Sequence, residues 1–414
     1  MPANRENPSV HQTARRSRDR EGALADFVAG MRSLTVAALS GASRPSTFMS
    51  RTIVAFLIAA GIGAGAAWAQ SPSPEQLFHD AVAAQQRGDD ALAVREYQEL
   101  IKRYPDSLEV RANLGAALAR LNRYDEAIVQ YRAVLAKKEN AGLRLNLALA
   151  YYKKGAFSEA VKQLTTLGAA EPDNARVATL LADCYASLGQ DEKAIAILKP
   201  LEAAHPDDLS VAWLLGSALI RTGHRREGLN RVDRVAREGK SPEAYLLAGR
   251  TALKMEEFEP ARDYAAAAAR LNPRLPGVDT LRGTVLNYLG DAEGAAAALR
   301  KAVEADPKDY EAQLGLGAVL LTNRDLDGAR QHLQLALRLK PDATVARYEW
   351  AKLERAEGQV EAAARDFEKV VHDDPNWAQP HVELAALYFR LNRQEDGERE
   401  RAIFDRLTAE QQKQ

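Results

Sequence analysis

The residues best suited to chemistry are few and scattered. There are seven histidines and a single cysteine, Cys184. One cysteine allows neither an intrachain disulfide nor a four-cysteine zinc site. Cys184 stands beside Tyr185 in an apolar stretch with no basic residue placed to lower its pKa, the environment of an inert buried thiol. His372 and His381 flank the segment DDPNWAQP. A solvated helix end accounts for that pair better than a metal site does. HExxH, a P-loop, GxSxG and paired-cysteine motifs do not occur. The expectation is a chain with no catalytic residues, no cofactor and no metal.

The composition agrees. The chain has 414 residues, 46% apolar, 27% charged and 6% aromatic, which is the composition of a folded globular protein. Lys+Arg number 56 and Asp+Glu 57, a net charge of −1. That balance lacks the basic footprint of a nucleic-acid binder, so no nucleic acid is expected among the partners.

The N-terminal part has a different character. The one strongly apolar run is Ile53 to Ala67, too short and Gly-rich for a comfortable transmembrane helix, which needs ~20 residues. Arg51 precedes it, and Ala67-Trp68-Ala69 follows with the small-x-small pattern of signal-peptide cleavage. Residues 49–69 read as a signal peptide or membrane anchor, with cleavage between Ala69 and Gln70. Residues 1–48 read as a non-native or disordered extension, with Met49 as the expected true start. Residues 70–414 carry 48 basic and 53 acidic residues, net −5. The expected location is the periplasm of a bacterium, the alternative a membrane-anchored protein tethered through residues 53–69.

The remainder is one unit repeated ten times. Ala93, Ala127, Ala160, Ala194, Gly228, Ala261, Ala295, Ala329, Ala363 and Gly397 recur at spacings of 33 or 34. Twelve residues before each stands another Ala or Gly: Ala81, Gly115, Ala148, Ala182, Gly216, Gly249, Gly283, Gly317, Ala351 and Ala385. Both positions lie in apolar patterns of helical period, so each unit is a helix pair whose small residues permit close approach. Seven residues after the first small position comes Gly or Asn in eight units, fit to end a helix in the left-handed conformation; Glu256 and Arg324 are the exceptions. Proline closes seven units. Units start near 74, 108, 141, 175, 209, 242, 276, 310, 344 and 378; the array covers 70–407 and a polar tail covers 408–414. Unit five is the weakest interior unit, with Gly228 in its second helix and REGKSP in place of a closing Pro. A softening or change of superhelix pitch is expected over 225–242.

These residues closely resemble the tetratricopeptide repeat (TPR) family. Unit two reads Leu114-Gly115 to Leu118, then Tyr124 to Ala127 and Tyr131; unit eight runs from Leu316-Gly317 through Ala329, Leu333 and Ala336 to Pro341. The early aromatic of the family signature survives only as Tyr245; Arg111, Arg144 and Arg347 stand in that slot elsewhere. The fold the resemblance implies is an all-α, right-handed α-solenoid of helix pairs. Its end units are altered for solvent, with Asp80 in a Leu slot and Arg401 in an aromatic or Leu slot.

The resemblance further implies that first helices line a concave groove that binds proteins or peptides. Positions one, four and five after the first small residue then face the groove. Of those thirty positions eight are basic (Arg120, Lys153, Arg221, Arg250, Lys254, Lys352, Arg355, Arg390) and one, Asp183, is acidic. One reading is a groove for acidic segments. The other is structural: five of the eight lie near helix C-termini, where cations offset the dipole. Trp213, Tyr288 and Tyr348 are expected as aromatic anchors, whereas Tyr152 and Phe389 are expected to pack between repeats and Trp350 in the core. Asn113 and Asn146 occupy the Asn position from which family members bond a peptide backbone. The Lys and Asn pair that clamps a C-terminal carboxylate in chaperone-binding members is missing from unit one. The expected function is a non-catalytic, exported interaction scaffold. Two alternatives stay open: a membrane-tethered subunit of an envelope secretion, pilus or polysaccharide-export assembly, and a glycan-binding or enzymatic protein using the groove.

Overall fold

The computed structural model describes residues 73–412. The apolar run at 53–69 and the extension at 1–48 lie outside these residues. Among the described residues all regular structure is helical, and no helix is long and apolar enough to cross a membrane.

Among the described residues twenty helices follow one another as ten antiparallel pairs. They are α1 (Pro74–Gln86), α2 (Asp90–Arg103), α3 (Leu108–Arg120), α4 (Tyr124–Leu135), α5 (Ala141–Lys154), α6 (Phe157–Ala170), α7 (Ala175–Ser187), α8 (Asp191–Ala204), α9 (Leu209–Arg221), α10 (Arg225–Glu238), α11 (Pro242–Lys254), α12 (Phe258–Leu271), α13 (Val278–Tyr288), α14 (Ala292–Ala305), α15 (Tyr310–Thr322), α16 (Leu326–Leu339), α17 (Thr344–Ala356), α18 (Val360–Asp373), α19 (Ala378–Arg390) and α20 (Gln394–Gln411). Odd-numbered helices are the first of each pair. The chain divides into two compact units, one ending at Arg231 and one beginning at Val232. The division falls within α10, inside the stretch that the sequence marks as weakest.

Local rules fix the helix ends. Ser73, Ser107, Asn140, Asn174, Asp208, Ser241 and Asp309 each cap a first helix by accepting a bond from its first-turn backbone. Such caps are worth about 1 kcal/mol each. Between the helices of every pair the chain turns through one left-handed residue: Gly88, Asn122, Gly155, Gly189, Gly223, Glu256, Gly290, Arg324, Gly358 or Asn392. Glu256 (φ 59°) and Arg324 (φ 64°) therefore adopt the same conformation as the glycines. The fold imposes the turn there against the side chain's preference.

Within each compact unit the small residues sit at the helix crossings. Ala93, Ala127, Ala160 and Ala194 in the first unit, and Ala261, Ala295, Ala329 and Ala363 in the second, are fully buried. A Cβ on Gly115 would lie 2.6 Å from the Tyr131 ring, and one on Gly228 would lie 2.6 Å from the carbonyl oxygen of Gly216. Gly228 thus lets α10 approach the α9 backbone, so its presence in a helix serves packing. Four residues on, the second helices carry Tyr97, Tyr131, Leu164 and Leu198, then Leu299, Leu333 and Phe367, all buried. In the last pair Arg401 takes that slot and is exposed. Helix α20 continues to Gln411 with Leu407 buried, so residues 408–411, expected as part of a polar tail, are helical. The Thr408 hydroxyl donates to the Phe404 carbonyl within that extension.

The slot where the family carries an aromatic has its own chemistry here. Arg111 Nε and Nη2 donate to the Pro105 carbonyl at 2.9 and 2.7 Å, and Nη1 donates to Gln130 Oε1 at 2.9 Å. Gln313 donates to the Pro307 carbonyl at 2.9 Å and its Oε1 faces His332 Nδ1 at 2.7 Å. Arg347 bonds the Pro341 carbonyl and pairs with Asp366. His381 faces the Pro375 carbonyl and Glu400. Each of these side chains ties the proline that closes the preceding pair to a residue nineteen positions ahead in the second helix. Arg144 reaches Gln163 at the same offset.

Candidate functional site

The candidate groove face consists of the same positions on each first helix, taken separately in the two compact units. In the first unit, Arg120 lies at the C-terminus of α3, pairs with Asp90 at 2.5 Å and donates to the Gln85 carbonyl at 3.0 Å. Arg221, at the C-terminus of α9, makes a bidentate bond to Asp191 at 2.6 to 3.0 Å. In both cases the cation reaches back thirty residues to the first residue of the preceding pair's second helix. These arginines are clamps between successive pairs. Asn113 is half-buried and Asn146 exposed, and neither amide makes a hydrogen bond among the described residues. Tyr152 is buried, donates its hydroxyl to Asp183 and stands edge-on to Phe157 at 5.7 Å. Lys153 is exposed and engaged by the surrounding chain. Trp213 is only 5% exposed. It packs in the fold and does not project as an anchor, which corrects the expectation for it.

In the second unit, Lys352 pairs with Glu349 at 2.8 Å and Arg355 pairs with Glu383. Tyr348 is also corrected from anchor to packing residue. It is 9% exposed, 5.7 Å from the Phe367 ring and 4.5 Å from that of Trp377. Trp350 is half-buried and donates to Glu354 Oε1 at 3.0 Å. Phe389 is half-buried, close against Gly397. Tyr288, by contrast, is 62% exposed. One face of its ring stacks on Phe258 at 4.9 Å with 9° between planes. The pair is again thirty residues apart, so a ring stack fills here the slot that ion pairs fill at Arg120 and Arg221. Arg250, Lys254 and Arg390 are exposed and make no ion pair or hydrogen bond among the described residues.

Among the described residues no group of three His, Cys, Asp or Glu side chains is placed to hold a metal ion. His372 is exposed beside Asp373, while His381 is buried with both ring nitrogens facing acceptors. Cys184 is buried. The shifted titrations are structural: burial pushes the Tyr264 and Tyr348 hydroxyls up to about 12 and holds His332 below its ordinary range.

Two tetratricopeptide-repeat family models match, one over residues 81–142 and 280–344, the other over 124–184 and 164–219. The chain belongs to the tetratricopeptide-repeat family. Its helix pairs form an all-α TPR solenoid, and TPR arrays are scaffolds that bind protein or peptide partners. No curated protein matches the chain. Among solved structures it is similar to a chain of the APC/C hetero-tetramer Cut9–Hcn1, at 15% identity over 81% of this chain and 88% of that one, TM-score 0.49. It is also similar to a tetratricopeptide repeat protein from Parabacteroides merdae, at 15% identity over 60% and 98%, TM-score 0.47. A third is YrrB, described as a TPR protein with an unusual peptide-binding site, at 18% identity over 44% and 95%, TM-score 0.38.

The sequence missed the thirty-residue clamp. Its signal was present: Asp begins the second helix in two pairs, and an Arg ends the next first helix in both.

Proposed function

We propose that this TPR protein is a non-catalytic scaffold, exported to the cell envelope, that holds partner proteins on the first-helix faces of its repeats. The observation that carries the reading is the pair of unengaged amides at Asn113 and Asn146, on the face that the family uses for peptides. A side-chain amide offers one acceptor and two donor hydrogens to an extended backbone. The apolar run before Gln70 supports export, and cleavage after Ala69 would release a soluble form.

The test has two parts. N-terminal sequencing of the fractionated native protein should find a soluble form that begins at Gln70. Retention of residues 49–69 in the membrane fraction would instead make the protein a tethered subunit of an envelope assembly. Asn113→Ala with Asn146→Ala should abolish co-purification of partners and leave the melting temperature unchanged. Undiminished co-purification would refute the groove.

A further inference from the structure

Arg347 differs from the arginines that share its slot. Arg111 spends all three guanidinium nitrogens on the Pro105 carbonyl and Gln130, at 2.7 to 2.9 Å. Arg144 spends its own on Glu139 and Gln163. Arg347 keeps one hydrogen bond, from Nη2 to the Pro341 carbonyl at 3.1 Å. Its Nη1 stands 3.7 Å from Asp366, beyond hydrogen-bond range, and its buried Nε has no hydrogen-bond partner among the described residues. Asp366 accepts instead from Lys369 Nζ at 2.8 Å. The tie that Arg111 and Arg144 complete is left half-made in pair nine.

A pocket of about 470 Å³ is lined by Arg347 of α17 and by Arg365, Glu368, Lys369, His372 and Asp373 of α18. The five α18 residues form one stripe of a second helix, and none of the six occupies a groove position of a first helix. The acids of the pocket are engaged. Glu368 accepts from the Tyr388 hydroxyl at 2.7 Å and pairs with Arg393 at 3.3 Å, and Asp373 lies 3.2 Å from His372 Nδ1. Glu354 feels the charges of Arg365 and Lys369, but its one hydrogen bond among the described residues comes from Trp350 Nε1. Arg365 is exposed and makes no ion pair or hydrogen bond among the described residues. Helix stability does not account for it. It lies well before the last turn of α18, where a cation would offset the dipole, and the like charge of Lys369 four residues on opposes the helix.

We propose that this pocket of pair nine is an oxyanion site, in which Arg347 and Arg365 hold the phosphate group of a soluble phosphate monoester. Once the acids are paired, these two guanidiniums give the pocket its positive excess. A guanidinium presents parallel donors that match two phosphate oxygens at once, which a lysine ammonium does not. The volume falls within the range of ligand pockets, about 300–1,000 Å³, and leaves room for the organic part of an ester beside the phosphate. A lining that is charged and not apolar selects an ion over an apolar ligand. The site is separate from the first-helix faces and does not depend on their role.

The experiment is phosphorus NMR of glycerol phosphate titrated with the full chain. The chain should broaden the phosphorus line of the ester. Inorganic phosphate should reverse the broadening by competition, and acetate at equal ionic strength should not. Arg365→Gln alters an exposed side chain and should weaken binding at least about tenfold. Arg365→Lys keeps the charge, loses the fork and should fall between the parent and Arg365→Gln. Arg347→Gln should weaken binding as well, with a thermal melt to check that the chain stays folded. Arg390→Gln removes an exposed cation from the next pair and should change nothing. No broadening by the parent chain, equal competition by acetate, or equal effects of Arg390→Gln and Arg365→Gln would overturn the site. So would capture of vesicles containing phosphatidic acid by a chain that leaves the free ester unbound, because the phosphate would then be a lipid headgroup.

Discussion

Arg324 offers a direct measure of how strongly the repeat dictates its own turns. It occupies the left-handed position with φ 64°, makes no ion pair or hydrogen bond through its side chain, and is exposed. Its backbone N–H donates to Leu321 at 3.0 Å and that of Asp325 donates to Leu320 at 2.9 Å, the bonds that close the helix end. Glycine keeps both. A non-glycine residue in this conformation costs about 1–2 kcal/mol. Glycine gives back about 0.4–1 kcal/mol through the added freedom of the unfolded chain. Arg324→Gly should therefore stabilise the fold by about 0.5–1 kcal/mol. Gly290→Ala supplies the mirror experiment. Its φ is +82° and a Cβ there would meet nothing within 4 Å, so only the backbone term is changed. It should destabilise by a similar amount. Because stability in such an array is shared between neighbouring repeats, the readout is native-state hydrogen exchange resolved to α15–α16 and α13–α14. Protection in α15–α16 that stays the same or falls in Arg324→Gly would refute the reasoning. So would a Gly290→Ala variant as stable as the parent.

Other outcomes follow from single contacts. Gly228→Ala should destabilise despite a helix-propensity gain of ~1 kcal/mol, because the new methyl meets the Gly216 carbonyl; a raised melting temperature would contradict that packing. Arg111→Ala removes the bonds to Pro105 and Gln130 and should cost about 1–2 kcal/mol by denaturant titration. Glu354 is buried at 9% exposure with Oε2 unpartnered, and burial, aided by Asp366, raises its carboxyl above the ordinary range. The folded state thus holds its proton more tightly than the unfolded state, and this group's contribution falls as pH rises through the carboxylate range. Glu354→Gln should raise the melting temperature at pH 7 and lose that advantage in acid; a gain equal at both pH values would exclude the titration.

Much of the fold was legible because its constraints are local. Small residues such as Ala127 and Gly115 announce a helix crossing, and Gly155 or Asn122 announces a turn, whatever the rest of the chain does. The periodicity even identifies Glu256 and Arg324 as turn residues against their own preference. The face of the repeat was less legible. Arg120 and Arg250 look alike as basic residues on a first helix, but Arg120 pairs with Asp90 thirty residues back and Arg250 makes no ion pair among the described residues. Only the packing of successive pairs distinguishes a clamp from an unengaged cation. Likewise Trp213 and Tyr348 share a register position expected to face the groove, yet both rings are buried, while Tyr288, stacked on Phe258, is exposed.

The proposed seat of partners on the first-helix faces can be mapped by placing a photo-crosslinking amino acid at single sites of the full chain in the native organism. Positions 146 in the first unit and 284 in the second lie on those faces, and Val129, 60% exposed on the second helix α4, is the outward control. Discrete cross-linked partners at 146 or 284 and none at 129 are the expected result. Cross-links at 129 with none at 146 or 284 would contradict the claim.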